Sequence, residues 1–360
     1  MKIFIVCNKL CYGGAEKVGV MLANGLLHKG HQVCIVADME YPQTYETDAE
    51  ICLLKLFSYS NGKTLRWLSA FRNLRSYFKE YRPDVVIGIT ESCSLISLFA
   101  RVGLNIKVIE TIHNSFERPK ERPMKFYEKL FKFHLSKLFP CVTVLTQADK
   151  KVIDNKLHNL VVMPNPLSLS PALCVPKKEK VILAAGRLEA SYTKGFDLLI
   201  EAWGKIANLY PDWILEIAGQ GTPLQVEEFN QLLIKNKCCD RVKFLGFQQD
   251  MESLYKKASV FVLSSRYEGF GMVLVEAMSQ GCACIACDFK GRQKEIIRNE
   301  QEGLICPVGS SDAIKNAIMD LVENTEKRKN IQKNAIERSK AFRYDAIIDK
   351  WEDLLNKNYL

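Results

Sequence analysis

Short runs of β-branched and apolar residues alternate along this chain with segments that place an apolar residue every three or four positions. Lys2–Cys7 reads as a strand, Val18–His28 as a helix with Val18, Leu22 and Leu26 on one face, and Gln32–Ala37 as a second strand. Strand, loop, helix and strand form one βαβ unit, which implies a parallel sheet covered by its crossover helix. The alternation continues through helix Arg66–Tyr81, with Leu68, Phe71, Leu74 and Phe78 inward, strand Asp84–Thr90, helix Ser92–Arg101 and strand Lys107–Ile112. A helix over Pro123–Phe139 and strands Cys141–Thr146 and Leu160–Met163 close the first series. Prolines at 164, 166, 171 and 176 then interrupt the pattern, because proline lacks the N–H that a regular sheet needs, and residues 166–175 read as a linker. The second series runs from strand Val181–Ala185 through an amphipathic helix ending near Tyr210, then strands Ile214–Ala218, Val242–Leu245, Val260–Leu263 and Cys284–Cys287, with helices at 223–236 and 250–258. The fold class expected is α/β, with two doubly wound Rossmann-like domains, 1–165 and 176–342, and a last helix over about 343–360 that carries Ile347, Ile348, Trp351, Leu354 and Leu355 on one side.

Composition narrows this picture. A chain of 360 residues suits two cores, and 48% hydrophobic with 25% charged residues is the balance of a globular enzyme. No apolar run is long enough to span a bilayer, and the N-terminal strand is too short for a signal peptide. Thirteen cysteines without a paired framework fit a reducing compartment. Cys282, Cys284 and Cys287 lie in an apolar strand with no matching Cys or His pair, so they read as small core residues rather than metal ligands. Charge is uneven. Residues 1–175 hold 23 Lys and Arg against 15 Asp and Glu, whereas residues 176–360 hold 27 against 26. The first half therefore suits an anionic partner.

The chemistry concentrates in residues 264–289, where a strand, a loop with Glu268, Gly269, Phe270 and Gly271, a helix with Glu276 and another strand follow in turn. The glycines permit a tight turn, and the first amides of the helix favour an anion. Two carboxylates beside that position are wrong for phosphate but suit sugar hydroxyls on either side of it. The implied ligand is a nucleotide diphosphate sugar. Arg187 and Lys194 flank the first loop of the second domain, where two cations can hold a diphosphate and neutralise a departing nucleotide. The first βα loop, Tyr12-Gly13-Gly14-Ala15-Glu16, also allows close backbone approach at a helix start; it is not the dinucleotide fingerprint, so a nicotinamide cofactor is not expected. Glu110-Thr111-Ile112-His113-Asn114 brings His113 to a carboxyl strand edge, as catalytic group or as core histidine. In 123–139, apolar residues Phe126, Tyr127, Leu130, Phe131, Phe133, Leu135, Leu138 and Phe139 oppose Lys125, Lys129 and Lys132, with Arg118, Lys120 and Arg122 upstream; this pattern fits a membrane interface or a core-packed helix.

The 264–289 stretch resembles the Glu-x7-Glu motif of retaining glycosyltransferases of GT-B fold, family 4 (glycosyl transferases group 1), of the kind that build bacterial surface polysaccharides. The resemblance implies that Glu268 touches the donor sugar and Glu276 the nucleotide ribose. It also assigns the donor diphosphate to Arg187 and Lys194, the approach to the sugar to His113, and the loop over the site to Gly13 and Gly14. Main-chain groups near Gly246, and the Gly269–Gly271 turn with Phe270, complete the donor site it implies. It further implies an interdomain cleft, a C-terminal helix crossing back to the first domain, and transfer from a UDP-sugar with retention. The acceptor would be a hydroxyl of a saccharide or polyprenyl-linked saccharide, and no metal or other cofactor would be needed. No Asp-x-Asp occurs in the chain, which argues in the same direction. Cytoplasmic localisation, peripheral at the inner membrane face through the basic first domain, and no nucleic-acid partner belong to the same expectation. A sugar-nucleotide epimerase and a non-catalytic carbohydrate-binding scaffold share the fold and stay open as alternatives. Arg292 stands where the family commonly has proline, which marks the loop at 290–297 as a departure.

Overall fold

A computed structural model of the chain describes residues 1–360 apart from Tyr12, Tyr59, Ser60, Asn61, Lys120 and Leu360, and leaves the side chains of Lys63, Tyr127, Asn358 and Tyr359 undescribed. The chain divides into two units, Met1–Pro166 with Tyr344–Leu360, and Leu167–Arg343.

The first unit is built from β1 (Lys2–Lys9), α1 (Gly14–His28), β2 (Gln32–Asp38), β3 (Cys52–Lys55), α2 (Lys63–Tyr81), β4 (Val85–Ile89), α3 (Glu91–Ala100), β5 (Lys107–Thr111), α4 (Phe126–Phe133), β6 (Cys141–Val144), α5 (Gln147–Ile153) and β7 (Leu160–Val162). Its seven strands pair in parallel in the order β3-β2-β1-β4-β5-β6-β7. Both faces are covered, so strands such as β4 are buried throughout and read as continuous apolar runs. One face packs Ala70, Leu74 and Phe78 of α2 beneath Phe4 and Val86. The other packs Val20, Leu22 and Leu26 of α1 with Ile347, Ile348, Trp351, Leu354 and Leu355 of the last helix. At Gly25 an added Cβ would come within 2.5 Å of Ile348, so glycine there lets α1 and the last helix close on each other.

The second unit comprises β8 (Glu179–Ala185), α6 (Ser191–Lys194), α7 (Phe196–Gly204), β9 (Ile214–Ala218), α8 (Pro223–Lys235), β10 (Val242–Gly246), α9 (Met251–Lys257), β11 (Ala258–Leu263), α10 (Met272–Ser279), β12 (Ala283–Asp288), β13 (Gly303–Pro307), α11 (Ser311–Glu323) and α12 (Thr325–Ser339), after which α13 (Tyr344–Tyr359) returns to the first unit. Six parallel strands run β10-β9-β8-β11-β12-β13 around a core that includes Trp203, Leu215, Ile285 and Ile318. Cys282, Cys284 and Cys287 are buried free thiols. In each sheet the strand order reverses once, between β1 and β4 and between β8 and β11, and ligands of open α/β sheets gather at the carboxyl ends of such a pair.

Two expectations change. The helix expected over 123–139 is α4 alone, followed past His134 by a 3-10 turn at Leu135–Leu138. Its polarity is also turned: Phe126 is 82% exposed, while the Lys132 side chain is only 3% exposed. Lys132 Nζ donates to Ser115 O at 2.9 Å, lies 3.4 Å from Glu91 and sits over the Phe116 ring. Those partners replace the water it loses, so it is not one of a solvated row. Tyr127 and Lys120 fall outside what is described. Second, Leu68 of α2 is exposed rather than inward, because the sheet-facing stripe is Ala70, Leu74 and Phe78.

Candidate active site

Both loops of the predicted donor site leave from the two strands at the reversal point of the second sheet. β8 ends at Ala185 and delivers Gly186, Arg187 and then α6; its neighbour β11 ends at Leu263 and delivers Ser264 through Gly271. Lys194 and Glu268, 74 residues apart, meet there at 2.5 Å between Nζ and Oε1. Ser265 Oγ donates to the same carboxylate oxygen at 2.9 Å. Both side chains are largely shielded, at 22% and 15% exposed. The lysine stem passes over Gly186, where an added Cβ would lie 3.0–3.2 Å from three of its carbons. That glycine is therefore the floor of the lysine's path.

A second contact holds the loops together. Arg266 forms a bidentate pair with Asp197 at 2.7 and 2.6 Å, and its Nη1 donates to Tyr192 O. Its main-chain N–H donates to Thr193 O at 2.8 Å, and its guanidinium stacks on Tyr192. A planar fork matches a carboxylate with two parallel bonds, which fixes direction as well as distance. Sequence reasoning did not single out Arg266 or Asp197, although both border quoted motifs. Their opposite charges adjoining the predicted pair were the available signal.

α10 begins at Gly271, whose φ of 88° is left-handed, and no side chain caps its first amides. No acid stands in its first turn, so the helix start keeps its attraction for an anion. Phe270 turns away from solvent, its ring against Phe342, so Gly269–Gly271 offers the site its backbone. Glu276, one and a half turns in, is 6% exposed; its carboxylate accepts Ser168 Oγ at 2.6 Å and Tyr255 OH at 3.1 Å. The tyrosine hydroxyl is raised well above its usual pKa by burial and by this carboxylate, so it stays a donor. Ser168 and Tyr255 are further positioning groups that the sequence reading missed. Gly246 ends β10 in the left-handed region and its carbonyl accepts Gly219 N–H, which sets the height of the loop beside the sheet edge. Arg187 is exposed and forms no ion pair among the described residues. The two predicted cations thus differ: one is held by Glu268, the other stands in solvent.

The Arg292 loop is ordered by different means from a proline turn. Lys290 and Gly291 take positive φ, Gly291 N–H donates to Asp288, and the fully buried Arg292 lies over the Phe289 ring.

In the first unit, Gly13 and Gly14 open α1, with Gly13 the N-cap in extended conformation. Gly13 exchanges hydrogen bonds with the Tyr45 hydroxyl at 3.1 Å each way. The Glu16 carboxylate folds over Gly13, so close that an added Cβ would overlap it at 1.9 Å. An acid therefore lies at this helix start, a position better suited to a hydroxyl than to a phosphate. Tyr12 of that motif lies outside the described residues. His113 follows β5. The Thr111 hydroxyl gives its proton to Gly88 O at 2.7 Å, so its contact of 3.1 Å with His113 Nε2 requires Nε2–H as donor. The lone pair is then on Nδ1, a buried atom with no hydrogen-bond partner. Burial holds the imidazole down at about 4, against an opposing Asn165 contact, so the ring is neutral at physiological pH. Three residues earlier, on β5, burial pushes the Glu110 carboxyl up to about 8, opposed by Ser136 and Lys132 and aided by Glu91.

Comparison with known proteins bears on the family of the chain. The model of glycosyltransferase family 4 matches residues 12–170 and that of glycosyl transferases group 1 matches residues 169–338. An α-1,4-N-acetyl-D-galactosaminyltransferase of Campylobacter jejuni, named for a GalNAc-α-(1→4)-GalNAc-α-(1→3)-diNAcBac-PP-undecaprenol acceptor, is 28% identical over 368 residues, 99% of this chain and 98% of the relative. Among solved structures, sucrose-phosphate synthase of Thermosynechococcus elongatus superposes with a TM-score of 0.85 at 20% identity, covering 99% of this chain and 98% of that one. HepE of Anabaena, solved with UDP and glucose, gives 0.82 at 20% identity over 99% and 100% of the two chains. With the two matched segments meeting end to end over nearly the whole chain, this protein is a GT-B glycosyltransferase of the group 1, family-4-like type.

Proposed function

We propose that the enzyme moves a sugar from a UDP-sugar to a hydroxyl of a lipid-linked saccharide, with retention and without a metal, during synthesis of a cell-surface polysaccharide. The observation that carries this reading is the Lys194–Glu268 contact beside the uncapped start of α10. It pairs a cation suited to a diphosphate with a carboxylate suited to sugar hydroxyls. On donor binding, Lys194 exchanges Glu268 for a phosphate oxygen and Glu268 accepts from the sugar. The carboxylate of Glu276, oriented by Ser168 and Tyr255, takes the ribose. Exposed Arg187 supplies a second charge.

The bond from the sugar C1 to the phosphate oxygen then breaks, with its electron pair leaving on the diphosphate. The acceptor oxygen bonds to C1, and its proton passes to the departing phosphate. Lys194, Arg187 and the α10 amides stabilise the charge that develops there, a contribution of the kind worth 10²–10³ in rate per donor group. His113, kept neutral by burial, takes the orienting role toward the transferred sugar that the family resemblance assigns to it.

The UDP and glucose of the HepE complex support the donor class, and the undecaprenyl diphosphate in the Campylobacter enzyme's name supports the acceptor class. Attachment to an anionic leaflet rests on exposed Arg122, Lys125 and Lys129 around exposed Phe126 and Leu130. Counted by unit, the balance is 25 against 19 in the first and 25 against 22 in the second, so α13 tempers the asymmetry of the sequence halves. A screen of nucleotide sugars reading nucleotide release, followed by NMR of the product's anomeric proton, tests the reading. Release of a UDP from one donor and an axial product from an axial donor are expected. Isomerisation of the donor with no acceptor present would overturn it in favour of an epimerase.

A further inference from the structure

An apolar groove of about 580 Å³ opens on the first unit between α2, α3 and α4. Trp67, Leu68 and Phe71 form one wall, Leu95 and Phe99 the other, and Phe131 closes one side. Leu68 and Phe99 are exposed, so nothing among the described residues covers them. The site described above does not use this groove.

Its two ends differ in chemistry. At one, Ser92 lines the groove and its hydroxyl lies 3.3 Å from that of Thr90, which in turn is 3.4 Å from Asn8 Nδ2. Thr90 sits at the carboxyl end of β4, with φ at 135°, a strained conformation for a non-glycine residue. The Lys132–Glu91 pair stands at the same end, next in sequence to Phe131 and Ser92. From there the groove follows α3 to Phe99, seven residues or roughly 10 Å at 1.5 Å per residue. At the far end Arg75 Nη1 binds the carbonyls of Ala100 and Val102, which sets the spacing of α2 and α3. An apolar trough with a polar mouth at the sheet's carboxyl edge matches an amphiphile lying with its head inward. Charge selects among amphiphiles: Arg66 of α2 is paired with Asp38 and Glu40, but the exposed Arg72 and Lys79 favour an anionic head, and a net charge of +9 disfavours a second copy of the chain.

We propose that the groove holds the isoprenoid chain of the acceptor, with its diphosphate at the Ser92 end. The proposal rests on the lipid-linked acceptor proposed above and names the part of the chain that recognises the lipid.

Trp67 supplies the probe. It is 37% exposed, whereas Trp203, Trp213 and Trp351 are buried, so emission changes on filling the groove come from this residue. The full chain is titrated with farnesyl diphosphate, isopentenyl diphosphate and inorganic diphosphate. Each methylene buried is worth roughly fourfold in affinity, so farnesyl diphosphate should saturate the signal at a concentration at least tenfold below that for isopentenyl diphosphate. Phe99→Ser, at an exposed position that the fold does not need, should abolish that preference while nucleotide release from the donor is unchanged. Trp67→Phe should lose the optical signal and keep the binding measured by calorimetry.

Equal affinity for the two prenyl diphosphates would overturn the proposal. So would a response confined to vesicles free of prenyl compounds, or a dimer in sedimentation that shields Trp67. Farnesyl binding without nucleotide release from any donor would leave the groove assignment standing and sink the donor reading instead.

Discussion

Lys194→Met separates what the lysine does for the fold from what it does for the reaction. The substitution keeps the stem over Gly186 and removes the charge, leaving Glu268 at 15% exposure with Ser265 as its remaining named partner. A carboxylate that loses its cation in a partly shielded place costs about 1–3 kcal/mol. For a protein with units of this size, that lowers Tm by roughly 2–4 °C per kcal/mol. Loss of one charge at the leaving diphosphate should cost kcat about 10²–10³, on the scale of a preorganised donor. The two effects part company in Lys194→Met/Glu268→Gln. There no charge is stranded, so thermal stability should return to within about 1 kcal/mol of wild type by the additivity gap expected for contacting residues, while kcat stays low. Thermal unfolding followed by circular dichroism and nucleotide release at saturating donor are the two assays. Near-wild-type kcat in the single variant would refute the leaving-group role. A double variant no more stable than the single one would refute the claim that Lys194 and Glu268 hold each other.

Glu276→Ala should raise the donor KM at least tenfold with a smaller change in kcat, since the ribose is remote from the breaking bond; a pure kcat defect would contradict that. Arg266→Ala should lower kcat roughly tenfold or more by freeing the loop that carries Glu268, and unchanged kcat would remove Arg266 from its positioning role. Activity should survive EDTA, and strict rescue by a divalent ion would exclude the metal-free mechanism. Burial holds Glu110 at about 8, above its unfolded value, so between those limits the folded chain binds the extra proton and loses stability as pH rises. Glu110→Gln should therefore flatten Tm against pH between about pH 5 and 8, and a parallel curve would show that the carboxyl titrates elsewhere.

The parallel architecture was legible because buried strands such as Val85–Ile89 and Ala283–Asp288 are apolar runs that end at loops, and helices such as Gly14–His28 show their stripe directly. The edge strand Cys52–Lys55 was not, since only alternate residues are partly covered and four residues give little period. Glu268, Glu276 and Lys194 could be found from the sequence because glycines and turns announce their loops. What brings Lys194 against Glu268 is the adjacency of β8 and β11, a long-range pairing that no local pattern records. Lys132 shows the converse: its spacing put it on a polar face, yet Ser115 O, Glu91 and Phe116 gather around it from segments distant in sequence. Arg266 and Ser168 escaped notice because a bidentate pair or a single hydroxyl carries no periodicity.

The return of α13 to the first unit bears on how the chain is made. Residues 167–343 form a continuous stretch that can close its core as soon as it leaves the ribosome. The first unit emerges earlier but lacks Ile347, Ile348, Trp351, Leu354 and Leu355 until residues 344–360 have been made, and the α1 face of its sheet stays open until then. N-terminal domains commonly fold first during synthesis, and an exposed apolar face invites misassembly while it waits. In this chain the later-made unit is the one free to mature first. A nonsense codon near residue 343 would spare the second unit and leave the first a client for chaperones and proteases.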